Sequence, residues 1–167
     1  MPHVATSAAD LLTRLAGIAH LEGDALVIDD ESRFRSDGIR DLAWTAAFAA
    51  DDANGNGAAE AARWLVWAAS QALGARSASI HELYMARGRG EVSGFTVPAI
   101  NIRAQTFDMA RVIFETAERA DVGAVILELA RSEQTYTFQR PMDYATSVLA
   151  GAIAAGWTGP VFIQGDH

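Results

Sequence analysis

AVILELA, residues 124–130, carries one charge in seven residues, and four of the seven are valine, isoleucine or leucine. A short, continuous apolar run of this kind reads as a strand buried on both faces, the habit of a parallel sheet. The flanking segments agree. Upstream, GFTVPAINIR (94–103) reads as a strand, and Thr106 with Asp108 can cap a helix whose Phe107, Ala110, Ile113, Phe114 and Ala117 share one face. Downstream, RSEQTYTFQR (131–140) reads as a polar loop. Pro141 suits a first helical turn, and MDYATSVLAGAIAA (142–155) runs to Gly156 as a stop. GPVFIQGDH (159–167) is then a short apolar strand. Strand, helix, strand, helix, strand predicts parallel pairing through right-handed crossovers. Pro98 counts against a central position for the first strand, because proline gives the ladder no donor.

The first ninety residues have a different texture. LLTRLAGIAHL (11–21), GIRDLAWTAAFAA (38–50) and AAEAARWLVWAASQAL (58–73) place apolar residues at helical spacing, separated by DDES (29–32) and DDANGNG (51–57). Ser79 and Glu82 offer a capping box for a further short helix that RGRG (87–90) would end. Residues 1–90 are therefore expected to form a helical extension, and residues 91–167 the start of an α/β unit.

Composition narrows the chemistry. The 167 residues include no cysteine, which removes disulfides, thiolate nucleophiles and cysteine-bound zinc. All thirteen basic residues are arginine, so neither a Schiff-base lysine nor a Walker-type phosphate lysine is present. Eleven acids face four arginines in residues 1–60, and ten face nine in residues 61–167, giving a net charge of −8 that sits mostly in the first part. An acidic chain without a basic stripe argues against nucleic acid and against an anionic membrane surface. There is no apolar stretch of membrane-spanning length and no secretory pattern at the N-terminus, so the chain is expected in the cytoplasm.

In parallel α/β folds, ligands bind where the strands end. Those ends are Asn101 to Arg103, Glu128 to Arg131 and Gln164 to His167, three polar groups from distant parts of the chain. Glu128 interrupts a buried run, which suits a residue at the rim. At the last strand tip an aspartate precedes a histidine, a pairing that can divide proton transfer from metal ligation.

Residues 91–167, with VPAIN (97–101) and GDH (165–167) in order, resemble the opening of the class II, metal-dependent fructose-bisphosphate aldolases. The resemblance implies an incomplete (β/α)8 TIM barrel, its first three parallel strands preceded by the helical extension. It implies Asp166 as the catalytic proton-transferring group, His167 as a metal ligand and Asn101 as a substrate contact. The cofactor it implies is a divalent metal, usually zinc, and the substrate a phosphorylated sugar cleaved to dihydroxyacetone phosphate and an aldehyde. It further implies a homo-oligomer, and a site whose remaining ligands lie beyond residue 167, so that this stretch alone would be inactive. The missing lysine is consistent, because the other aldolase mechanism requires one. Two positions depart from the family pattern: Gln164 stands where a further histidine is usual, and Ala130-Arg131-Ser132 where many members end the second strand in serine. A non-catalytic relative, keeping the scaffold as a structural or regulatory subunit, is the alternative that Gln164 favours.

Overall fold

The computed structural model of the chain describes residues 4–49 and 57–166. A short helix, α1 (Ala8–Arg14), is capped by Ser7, whose side chain accepts from the Asp10 amide. A hairpin follows, β1 (Ala19–Glu22) antiparallel to β2 (Ala25–Ile28). The helical reading of 11–21 therefore holds only as far as Arg14. Gly17, at φ 74, turns the chain out of the helix and into the strand, a conformation that favours glycine.

Asp30 caps α2 (Glu31–Arg33), which passes through a π-helical turn at 34–38 into α3 (Ile39–Phe48). Helix α4 (Ala58–Leu73) matches the expected segment residue for residue and stops at Gly74, φ 83. Then comes a strand the sequence reading lacked, β3 (Arg76–Ala78). The extension is thus mixed rather than purely helical. Helix α5 (His81–Gly88) begins after Ser79, whose hydroxyl accepts from the His81 amide in a local turn; the expected capping box with Glu82 is not formed.

The remainder follows the expected order. Strand β4 (Ala99–Asn101) leads through α6 (Thr106–Arg119) to β5 (Ile126–Ala130), and α7 (Arg131–Thr137) with α8 (Pro141–Ala155) leads to β6 (Pro160–Asp166). Pro98 lies just outside β4, where it costs no ladder donor and its carbonyl accepts from the Ile126 amide at 2.8 Å. The four strands β3 to β6 form one parallel sheet in the order β3-β6-β5-β4. Mixed α/β architecture with a parallel sheet is therefore established.

Side chains alternate along a strand, so the register sorts the sheet into two faces. Ile100, Leu127, Leu129 and Ile163 point one way, into the core formed with α6 and α8. Asn101, Glu128, Ala130, Gln164 and Asp166 point the other way. On that second face Ser79 and Ile80 share a small hollow with Ile126, Phe162 and Gln164. The chain thus crosses from β3 to β4 opposite α6 and α8, as a right-handed crossover running in the reverse direction must. Strand β6 has β5 on one side. On its other side β3 covers its first three residues, Pro160 to Phe162.

Helix α8 is apolar on every side, the pattern of a helix enclosed by neighbours. It packs against α3, α4 and α6 as well as the sheet. Gly151 is the point of closest approach to α6: a Cβ there would lie 2.7 Å from the Phe107 carbonyl oxygen and 2.8 Å from the Arg111 amide nitrogen. Both are backbone atoms that cannot swing aside. Gly151→Ala is therefore expected to destabilise the fold by about 1–3 kcal/mol, despite alanine's better helix propensity, as read from urea or thermal unfolding.

Candidate functional site

The carboxyl ends of β4, β5 and β6 bring together a compact polar cluster on the face away from α6 and α8. Asn101 ends β4, and its side-chain amide donates both to Asp166 Oδ2, at 3.1 Å, and to Glu133 Oε2, at 3.2 Å. Two residues expected in a site from sequence, Asn101 and Asp166, are thus in direct contact across 65 residues of chain. His167, the expected metal ligand, lies outside the described residues.

Glu133 is the member that sequence reading missed. It is the third residue of α7, and Oε2 also accepts the Ala130 backbone N–H at 3.0 Å, the reciprocal half of a capping box. Its other oxygen, Oε1, meets Arg103 Nε at 2.5 Å. The residue is buried, so its charge is tolerated only because these donors surround it. The Ala130 amide first, then Asn101 and Arg103, hold its carboxyl below the usual glutamate range. A signal was available: a glutamate three residues past a strand end is where an N-terminal helical turn would use one. The polar character of residues 131–140 made the segment read as a loop.

Around this cluster the neighbours are also engaged. The Tyr136 hydroxyl, with Glu133, favours the charged form of the Arg103 side chain and raises its pKa. Gln164 donates its amide to Glu128 Oε1, pairing the two polar residues in the middle of the open face. From the core side, Tyr144 of α8 is fully buried. Burial, aided by the nearby negative charges of Glu133 and Glu128, pushes its phenol upward in pKa; the Ile102 backbone pulls the other way without reaching hydrogen-bond geometry. That phenol stays protonated.

The arrangement can hold a carboxylate, Asp166, at a strand tip beside an oriented amide, which is what a proton-transfer site requires of its surroundings. Among the described residues, no group of three or more histidine, aspartate or glutamate side chains is placed to hold a metal ion. Within this part of the chain the residues therefore do not make a catalytic metal centre, which takes about three protein ligands. None of its helices is long and apolar enough to cross a membrane.

A carboxyl whose pKa is lowered on folding stabilises the native state above its unfolded pKa, here the ordinary value of 4.5, and loses that contribution as the pH falls through the folded value. Glu133→Gln should therefore be less stable than the parent chain at pH 7. The gap should narrow on acidification from about pH 5 to pH 3, measured by urea unfolding across that range. A gap independent of pH would mean that Glu133 contributes by packing alone. Compared with known protein families, with curated proteins and with solved structures, the chain matches none.

Proposed function

We propose that residues 91–167 carry the first three strands of a (β/α)8 barrel of the metal-dependent aldolase type, and that the rim cluster serves reversible aldol cleavage of a phosphorylated ketose. The observation that carries this reading is the Asn101–Asp166 contact at the ends of parallel strands, on the face that the helices α6 and α8 leave open. Strands β4, β5 and β6 are neighbours in sequence order, and α6 and α8 lie on one side of them, as in a barrel wound in one direction. Strand β3 departs from that pattern: it occupies the edge of β6 where a fourth barrel strand would pair, and its crossover to β4 runs on the other face, as in a doubly wound sheet.

In this reading Asp166 accepts the proton of the hydroxyl on the carbon that becomes the aldehyde. The adjacent carbon–carbon bond breaks, and its electron pair passes to the ketone carbon and oxygen, leaving the enediolate of dihydroxyacetone phosphate. On reversal Asp166 returns the proton. Asn101 fixes the carboxylate and, with both amide hydrogens given to Asp166 and Glu133, presents its carbonyl oxygen to a substrate hydroxyl. Glu133, through its bond to the same amide, keeps Asn101 from rotating away. A divalent metal such as zinc, if bound at the rim, would supply polarisation of the ketone. The described residues alone do not hold it, so its ligands would be His167 and others outside this part.

A second reading, a non-catalytic relative kept for its scaffold, draws on Gln164, which satisfies Glu128 at a position where the family usually has histidine.

The test uses the natural gene product that contains this chain, assayed for dihydroxyacetone phosphate released from fructose 1,6-bisphosphate. A chelator is expected to abolish cleavage, and Asp166→Ala to lower kcat by about a hundred- to ten-thousand-fold, the usual worth of a positioned acid–base group. Activity that survives both treatments overturns the mechanism. A folded protein that cleaves no ketose phosphate with any divalent metal supports the scaffold reading instead.

A further inference from the structure

A second recess lies beside the rim, between α3, the turn that precedes α6, and the segment joining α7 to α8. Its volume is about 730 Å³, within the range of small-molecule sites. Five aromatic side chains, Trp44, Phe48, Phe107, Tyr136 and Phe138, come to its wall from separate stretches of the chain. Phe107 and Trp44 also share the guanidinium of Arg40, which sits 5.6 and 5.9 Å from their ring centres.

Two details set this wall apart from a packing defect. Three non-glycine residues of the described chain have positive φ, and two of them, Gln105 at 51° and Phe138 at 55°, line this recess. At Phe138 this conformation ends α7, of which it is the C-cap, a place that more often takes glycine. Packing does not require Phe138, because its ring is 90% exposed. A large apolar ring thus stands in water at the lip of an aromatic recess, where it can cover a ligand.

The chemistry of the wall defines the partner. Each charged residue on it is already neutralised: Arg103 by Glu133 at 2.5 Å, Asp143 by Arg63 at 2.9 Å, and Asp108 by Arg40 at 3.8 Å. An ionic ligand would therefore have to break a pair. Thr106 Oγ1 donates to Gln139 Oε1 at 2.5 Å, so that the Gln139 oxygen is committed and its amide N–H groups remain to donate into the recess, beside the side chains of Gln105 and Ser147. We propose that the recess binds a small, uncharged heteroaromatic ring that stacks on the aromatic residues and turns an acceptor edge to Gln139. This inference does not rest on the aldolase reading, since neither Asp166 nor Asn101 lines the recess. It touches the rim only through Arg103 and Tyr136.

The experiment uses the uniformly 15N-labelled chain and adenosine as the probe, an uncharged ring with acceptor nitrogens. Four tryptophan indole resonances report at once, and Trp64, Trp67 and Trp157 serve as internal controls for Trp44. Adenosine is expected to shift the Trp44 indole saturably and to leave the other three in place. Gln139→Leu should weaken adenosine about fivefold, the worth of one neutral hydrogen bond, while toluene, which has no acceptor, binds both forms equally. Phe138→Gly should weaken both probes while leaving the melting temperature unchanged or raised, because glycine relieves the strained φ. The proposal is overturned if adenosine shifts all four indoles alike or none. It is equally overturned if Trp44 responds to protein concentration rather than to adenosine, which would make the recess a contact between copies of this chain.

Discussion

Gly151 lets α8 settle so near α6 that a single added methyl would strike the Phe107 carbonyl, and the rest of the architecture is arranged by that contact. Once the two helices touch, the strands beneath them must lie side by side, because each helix sits over the ladder it connects. Leu127 and Leu129 of β5 fill the space below and are almost wholly removed from water. The sheet then has one apolar face and one face free to carry polar groups. Asn101, Glu128, Gln164 and Asp166 are on the second face for a reason of parity: the register of three parallel strands admits no other arrangement once the leucines point inward.

The same parity explains how a buried acidic residue can exist here. Glu133 is not on the sheet at all. It reaches the strand ends from the first turn of α7, where a backbone amide is waiting and where Asn101 and Arg103 add two further donors. Two carboxylates, Glu133 and Asp166, are then bridged by one amide that gives a hydrogen to each. The bridge holds two acidic groups near one another with a neutral spacer between.

How much of this was legible from residues alone depended on the physical signal. Helix α4 was readable to the residue, because sixteen alanine-rich positions with helical spacing end at a glycine and no competing pattern intrudes. The order of β4, α6, β5, α8 and β6 was readable for similar reasons, as was the meeting of Asn101 and Asp166 at one rim. The hairpin was not: Leu11, Leu15 and Ile18 continue a helical stripe past Gly17, and only the three-dimensional packing of Ala19 and Leu26 makes strands the better solution. Strand β3 was invisible because three exposed residues, Arg-Ser-Ala, have no β pattern; it exists only because β6 offers it a ladder. Thr106 was read as a cap and is instead the buried first residue of α6, with Gln105 turning the chain before it. Of the site, Glu133 was missed because its helix was read as a loop, and the recess was missed because its wall is assembled from stretches far apart in sequence.

Three arginines of the first ninety residues reach across to the rest: Arg35 Nη1 donates to the Ile153 carbonyl at 2.6 Å, Arg63 pairs with Asp143, and Arg40 with Asp108. A single apolar cluster runs beneath them from Ala5 to Val161. The change of texture near residue 90 is therefore a seam in the sequence and not in the solid. A recombination event that exchanged the first ninety residues for those of another protein would have to cut through the interior, stripping α8 of two neighbouring helices. The two stretches are bound to be inherited, and to vary, as one.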